Sequence, residues 1–121
     1  MANTFKVVNF AAEPASAGTA YKMYTVAGST TTVVLVLILT NIHSSAVTVE
    51  VELHSDTANR AVANNTANGI SYLVKDVTIP AGSSLELLSG GKVVMETTDI
   101  LKIDCSVTDK VSGTLSIMEI T

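Results

Sequence analysis

Seven consecutive aliphatic residues, Val33 to Leu39, stand between Thr30-Thr31-Thr32 and Thr40-Asn41. They limit what the chain can fold into. The run is far short of the roughly 20 apolar residues that a membrane-spanning helix needs. Threonines leading into a valine-rich stretch favour a strand, because β-branched side chains keep their preferred rotamers on a pleated surface. A strand with no polar face has to be covered on both sides. One side can enter the core of the domain; the other calls for a second layer or another subunit. The outward side of Val34, Val36 and Ile38 is therefore the expected apolar contact patch.

Composition points the same way. Of 121 residues, 47% are hydrophobic and 15% charged, against a usual charged share of about 25%. A chain this greasy is expected to bury part of its surface by association, as a homo-oligomer. The length suits a single domain, divided here into an N-terminal strand and arm (1–18) and a β-sandwich (19–121). With three Tyr, two Phe and no Trp, the core must be built from Val, Ile, Leu and Ala. The net charge is −4, and the Lys and Arg residues are scattered singly. No basic patch forms to track phosphates, so nucleic acid is not an expected partner. The single cysteine excludes an intramolecular disulfide framework. Residues 1–6 lack a basic region followed by an apolar stretch. Folding in a cytoplasm, with no membrane partner, is the expectation.

Period-2 patterning predicts about eight or nine short antiparallel strands and no helix, an all-β sandwich or jelly-roll-like domain. The strands are expected at Thr4–Phe10, Tyr21–Val26, Val33–Leu39, Val47–His54, Ser71–Ile79, Ser83–Leu88, Val93–Glu96, Ile100–Val107 and Ser112–Ile120. The fourth is the least ambiguous: Val47, Val49, Val51 and Leu53 share one face, and Thr48, Glu50, Glu52 and His54 the other. A turn at His43–Ala46 should join it to the aliphatic strand as a hairpin. Ser89-Gly90-Gly91-Lys92 suits a second hairpin turn. Thr25–Ser29 is echoed by Thr78–Ser83, each a strand end, a small turn and a new strand. In the last strand Leu115 and Ile117 face one way, Met118 and Ile120 the other. Ser55 to Gly69 breaks every pattern, and loops of that length are commonly functional. Asn59, Arg60, Asn64 and Asn65 in this loop, with the arm 1–18, are candidate subunit contacts.

Residues with chemical potential do not form a site. Glu50, Glu52, His54 and Asp56 share a strand face, but same-face neighbours lie about 6.6 Å apart, too far for more than an adjacent pair to share an ion. A solvated face whose like charges discourage edge pairing explains them better. His43 and His54 fall at opposite ends of the expected hairpin. Cys105 sits on an inward register between Ile103 and Val107, where a thiol has neither base nor exposure. No nucleophile elbow, phosphate loop or dinucleotide fingerprint is present. Asn64-Asn65-Thr66 matches a glycosylation triplet only by composition. Tyr21, Tyr24 and Tyr72 lie inside strands, where a ring cannot serve as a loop platform for sugars. No enzymatic activity, catalytic residue, metal or cofactor is expected.

One stretch carries a resemblance. Leu73-Val74-Lys75-Asp76-Val77-Thr78-Ile79-Pro80-Ala81-Gly82-Ser83-Ser84-Leu85-Glu86 runs into Gly90-Gly91-Lys92-Val93-Val94-Met95-Glu96 and then Asp99-Ile100-Leu101-Lys102-Ile103. With Tyr24-Thr25-Val26-Ala27-Gly28-Ser29-Thr30-Thr31, it resembles small all-β virion structural proteins of tailed bacteriophages, including those of cyanobacteria. The long Asn/Ala loop is not part of the likeness. The resemblance implies a multicopy accessory component of the tail, neck or baseplate, or a capsid decoration protein. Its partners would be copies of itself and other virion proteins, and its location the virion. A glycan- or receptor-binding module at a fibre tip is the alternative.

Overall fold

The computed structural model describes residues 2–55, 69–88 and 90–121. Among them are nine strands and no helix: β1 (Asn3–Glu13), β2 (Tyr21–Thr25), β3 (Thr31–Asn41), β4 (Val47–Ser55), β5 (Gly69–Ile79), β6 (Ser84–Leu87), β7 (Val93–Met95), β8 (Ile100–Cys105) and β9 (Val111–Ile120). They build two antiparallel sheets. Sheet A has the order β1-β9-β3, with β6 and β7 lying in succession along the far side of β3; sheet B has the order β2-β8-β4-β5. The chain crosses between sheets at every connection except β4–β5 and β6–β7. With β6 and β7 sharing one position, this is the eight-position jelly roll.

Two expected hairpins are absent. β3 pairs with β9, β6 and β7, whereas β4 pairs with β5 and β8, so residues 42–46 carry the chain from one sheet to the other. Nor do β6 and β7 pair with each other. β6 and β7 both run antiparallel to β3, the first against Leu37–Thr40 and the second against Thr32–Val34. Alternation within a strand fixes which side chains turn inward; it does not specify which strand lies alongside. The echoed segments do share a task. Thr25–Ser29 and Thr78–Ser83 each lead from sheet B to sheet A, at opposite ends of β3, and each uses a positive φ, 55° at Ser29 and 72° at Gly82.

β3 contains a bulge that decides its faces. Against β9, Val34 pairs with Ile117 and Val36 with Ser116, which leaves Leu35 as an extra residue. A bulge switches the inward parity. Thr32 and Val34 face inward before it, and Leu37, Leu39 and Asn41 after it. Val34 is thus 1% exposed, a core residue rather than a member of the outward patch. Val36 and Ile38 remain on the outer face, half-buried. Opposite the bulge the edge strand breaks between β6 and β7. Leu37, Leu39, Leu115 and Ile117 of sheet A then pack with Val49, Val51, Leu101 and Ile103 of sheet B, none more than 1% exposed. Each such side chain contributes about 1.5–3 kcal/mol of burial.

Close packing also fixes smaller residues. Gly113 pairs with Phe10, and a Cβ at Gly113 would stand 2.3 Å from Phe10 Cε1. The ring lies over the glycine and meets Tyr21 edge-on, with centroids 5.2 Å apart. The corners are tied by polar groups. Asn41 is fully buried; its Nδ2 donates to the carbonyls of Ser45 and Ile79 at 2.9 Å, and its Oδ1 accepts from His43 N–H at 2.7 Å. One side chain so joins the β3–β4 corner to the end of β5. The segment after β1 is held to the β8–β9 corner, with Asp109 N–H donating to the Pro14 carbonyl and Ala17 N–H to Thr108 Oγ1.

Candidate interaction surface

On sheet A, registers through three strand pairs place Phe5, Met118, Val33 and Val94 in one row across β1, β9, β3 and β7. At about 4.8 Å per strand the row spans roughly 14 Å. Phe5 is 71% exposed and Val94 57%. The adjoining row runs Val7, Ser116, Val36, and Val7 is again exposed. Further along, Asn9, Thr114, Ile38 and Glu86 turn the face polar. Among the described strand residues of this face, Glu86 is the only charge. The apolar end of the face is therefore concentrated where β1 begins, β9 ends and β7 lies. Contiguous apolar area of this kind makes the face a candidate contact surface.

The same end carries a polar network on the inner side. The Tyr24 hydroxyl reaches from sheet B to Thr32 Oγ1 at 2.7 Å and donates to Glu119 Oε2 at 2.5 Å. Lys6 Nζ holds the other oxygen, Oε1, at 2.7 Å. Burial and the adjoining carboxylate push the Tyr24 hydroxyl up to about 12. The Lys6 ammonium, then the Tyr24 hydroxyl, draw Glu119 below the usual carboxylate range. Lys6 thereby adds no charge to the outer face, because its side chain is committed to Glu119.

Sheet B is the polar counterpart. Its outer face carries Thr48, Glu50, Glu52 and His54 on β4, as the alternation required. Glu50 accepts from Lys75 Nζ at 2.8 Å, and Glu52 Oε1 lies 3.1 Å from His54 Nε2. A cleft of about 140 Å³ is lined by Gly18, Thr48, Glu50, Asp76, Asp104, Cys105 and Ser106. Its Asp104 carboxylate accepts from Gly18 N–H and Cys105 N–H. Among the described residues no three His, Cys, Asp or Glu side chains converge as a metal site would require. Asp56 lies outside those residues. Cys105 is buried at 3% exposure. Tyr72, inside β5, is nonetheless 48% exposed, with Lys75 Nζ 4.7 Å from the ring centre; an edge strand leaves its outward rings open.

The structure separates the residues singled out from sequence. Val36 and Ile38 lie on the outer face of sheet A, Val34 lies in the core, and Asn59, Arg60, Asn64 and Asn65 lie outside the described residues. Phe5, Val7, Met118 and Val94 complete the apolar face. Phe5 and Val7 share a parity in β1, but Val8 and Phe10 make the other register apolar too, so parity alone does not say which side meets water. Comparisons with protein-family models, curated proteins and solved structures find no match to this chain.

Proposed function

We propose that the chain is a non-enzymatic structural component of a tailed-phage virion, a multicopy accessory protein of tail, neck or baseplate or a capsid decoration. It acts through symmetric contacts made by the outer face of sheet A. The observation that carries this reading is the four-strand row Phe5, Met118, Val33, Val94, exposed at both ends on a face with one charge among the described strand residues. Interface cores are depleted of charge in this way, and identical subunits bury such patches by closed symmetry. The sequence resemblance supports the setting, and jelly rolls serve in capsid proteins as well as lectins. A glycan- or receptor-binding role has one observation in its favour, the half-exposed Tyr72 ring, but the Lys75 ammonium already occupies that ring.

The test is quantitative mass spectrometry of gradient-purified particles of a phage that encodes the chain. Many copies per particle are expected. Absence from washed particles, while the chain is abundant in the infected lysate, refutes the proposal.

A further inference from the structure

Every open sheet ends in strands with unused backbone groups, and three of the four edges here are disrupted. β2 has five residues, a register shift and an exposed Lys22. β5 has two register shifts against β4, Lys75 at its surface and Asp76 at φ 53°. The opposite edge of sheet A is divided into β6 and β7, four and three residues long. Breaks, bulges and charges are the means by which sheets avoid joining edge to edge.

β1 has neither break nor bulge over its first eight residues. Asn3 to Phe10 match Ile120 to Gly113 one for one, and the register shifts only beyond Phe10. Lys6, the one charged residue in that span, is turned inward to Glu119. Ala2 and Thr121 exchange both backbone hydrogen bonds, so in an antiparallel ladder the even-numbered residues of β1 bond to β9. The N–H and C=O groups of Asn3, Phe5, Val7 and Asn9 then point to the open side.

We propose that β1 pairs with β1 of a second copy of this chain, antiparallel about a two-fold axis normal to sheet A. The inference rests on the assembly reading above and names the partner and its mode of contact. A two-fold normal to the sheet keeps outward side chains outward, so odd-numbered residues must oppose odd-numbered ones. The open-side residues read Asn, Phe, Val, Asn, nearly the same in both directions about Lys6. Centred there, Asn3 opposes Asn9 of the second copy, and Phe5 opposes Val7. An aromatic opposite a β-branched residue is a favourable cross-strand pair. The two Lys6 side chains meet the axis on the inner side, each with its ammonium drawn to its own Glu119. The apolar row that ends at Phe5 runs on into the neighbouring sheet, and the two faces become one.

Sedimentation velocity across a concentration series tests this, with hydrogen exchange read at the Phe5 and Val7 amides. The wild-type chain should dimerise, and those two amides should gain protection as it does. Val7→Pro removes an N–H that no bond within the chain uses, a change that edge strands tolerate. It should leave the thermal midpoint of the monomer in place and weaken dimerisation at least ~100-fold. The double variant Phe5→Lys, Val7→Lys alters side chains already exposed in the monomer and should do the same. Val94→Lys, on the far edge of the sheet, should leave the dimer intact. A wild-type chain that stays monomeric at its highest soluble concentration overturns the proposal, as do edge variants that dimerise like wild type. If Val94→Lys alone disperses the dimer, copies stack face to face; edge pairing is then wrong while assembly through sheet A stands.

Discussion

Replacing Asn41 with Asp preserves the shape of a fully buried side chain and removes the two hydrogens it donates to the Ser45 and Ile79 carbonyls. An ionised carboxylate there would face two carbonyl oxygens with nothing to offer them. The introduced group is therefore expected to stay protonated in the folded chain and to donate to one carbonyl only. Leaving the other carbonyl without a donor costs about 1–3 kcal/mol. The unfolded chain, with a carboxyl pKa of about 3.9, ionises freely, so retaining the proton at pH 7 costs about 4 kcal/mol more. The sum, about 5–7 kcal/mol, is a large part of the roughly 6–18 kcal/mol expected for a chain of this length. Its sign with pH follows. The folded-state pKa is raised, so the penalty grows above the unfolded pKa, by about 1.4 kcal/mol per pH unit, and shrinks toward about 1–3 kcal/mol in acid. Urea titrations of wild type, Asn41→Asp and Asn41→Leu between pH 4 and 7 measure it. Asn41→Leu also deprives these groups of partners, but its penalty should be flat with pH. A cost for Asn41→Asp under about 1 kcal/mol at pH 7, or one that does not change with pH relative to wild type, would refute the closed, dry corner described here.

Gly113→Ala should cost about 1–3 kcal/mol, because the new methyl meets the Phe10 ring; in a Phe10→Leu background most of that cost should vanish, a coupling that a double-mutant cycle in urea reads directly. Val34→Thr should cost about 1–3 kcal/mol by burying a hydroxyl, while Val36→Thr, two residues away and across the bulge, should stay within about 0.5 kcal/mol; equal effects would remove the bulge. Tyr24 keeps its proton to about 12 when folded, against about 10 when unfolded. Stability from this hydroxyl is intact below pH 10 and lost between pH 10 and 12, and Tyr24→Phe should abolish that alkaline loss in thermal melts. Glu119 is shifted the other way, so its contribution holds above the unfolded carboxylate pKa and is lost as pH falls further; Lys6→Met should blunt that acid sensitivity.

How legible the fold was in sequence depended on whether a strand had a polar face. β4 and β8 alternate cleanly, and Val49, Val51, Leu101 and Ile103 are inside as their parity required. β3 has no polar residue between Val33 and Leu39, so nothing local marks where its parity changes. The bulge at Leu35 is set by the partners: β9 on one side, and on the other the break between β6 and β7. That is why Val34 was placed outward and is not. Hairpins failed for a related reason. A compact turn after β3 is compatible with a reversal within one sheet or a crossing between two; here the crossing is tied by Asn41, whose bonds reach Ser45 and Ile79 together. The outer apolar face of sheet A was half legible. Val36 and Ile38 signalled it, whereas Phe5, Met118 and Val94 join it through pairings between strands far apart in the chain.

The two outer faces of the sandwich also constrain how copies can be arranged. Sheet B turns Glu50, Glu52, His54, Lys102 and Asp104 outward, several of them already paired with one another or with Lys75. Taking such groups out of water costs several kcal/mol per ion unless each finds an equally good partner. Sheet A presents Glu86 as its single outward charge among the described strand residues, so covering its apolar end carries no comparable penalty. An assembly of identical copies should therefore bury sheet A and leave sheet B to solvent, where its charges also keep assemblies apart. Pairing through β1 is compatible with this, because a two-fold normal to the sheet brings both apolar ends to the same side, where one further layer can cover them together, and both charged faces to the other. Pairing the same edge about an axis in the plane of the sheet would set an apolar face beside a charged one, and among the described outward strand residues of sheet A only Glu86 would offer a charge to reconcile them.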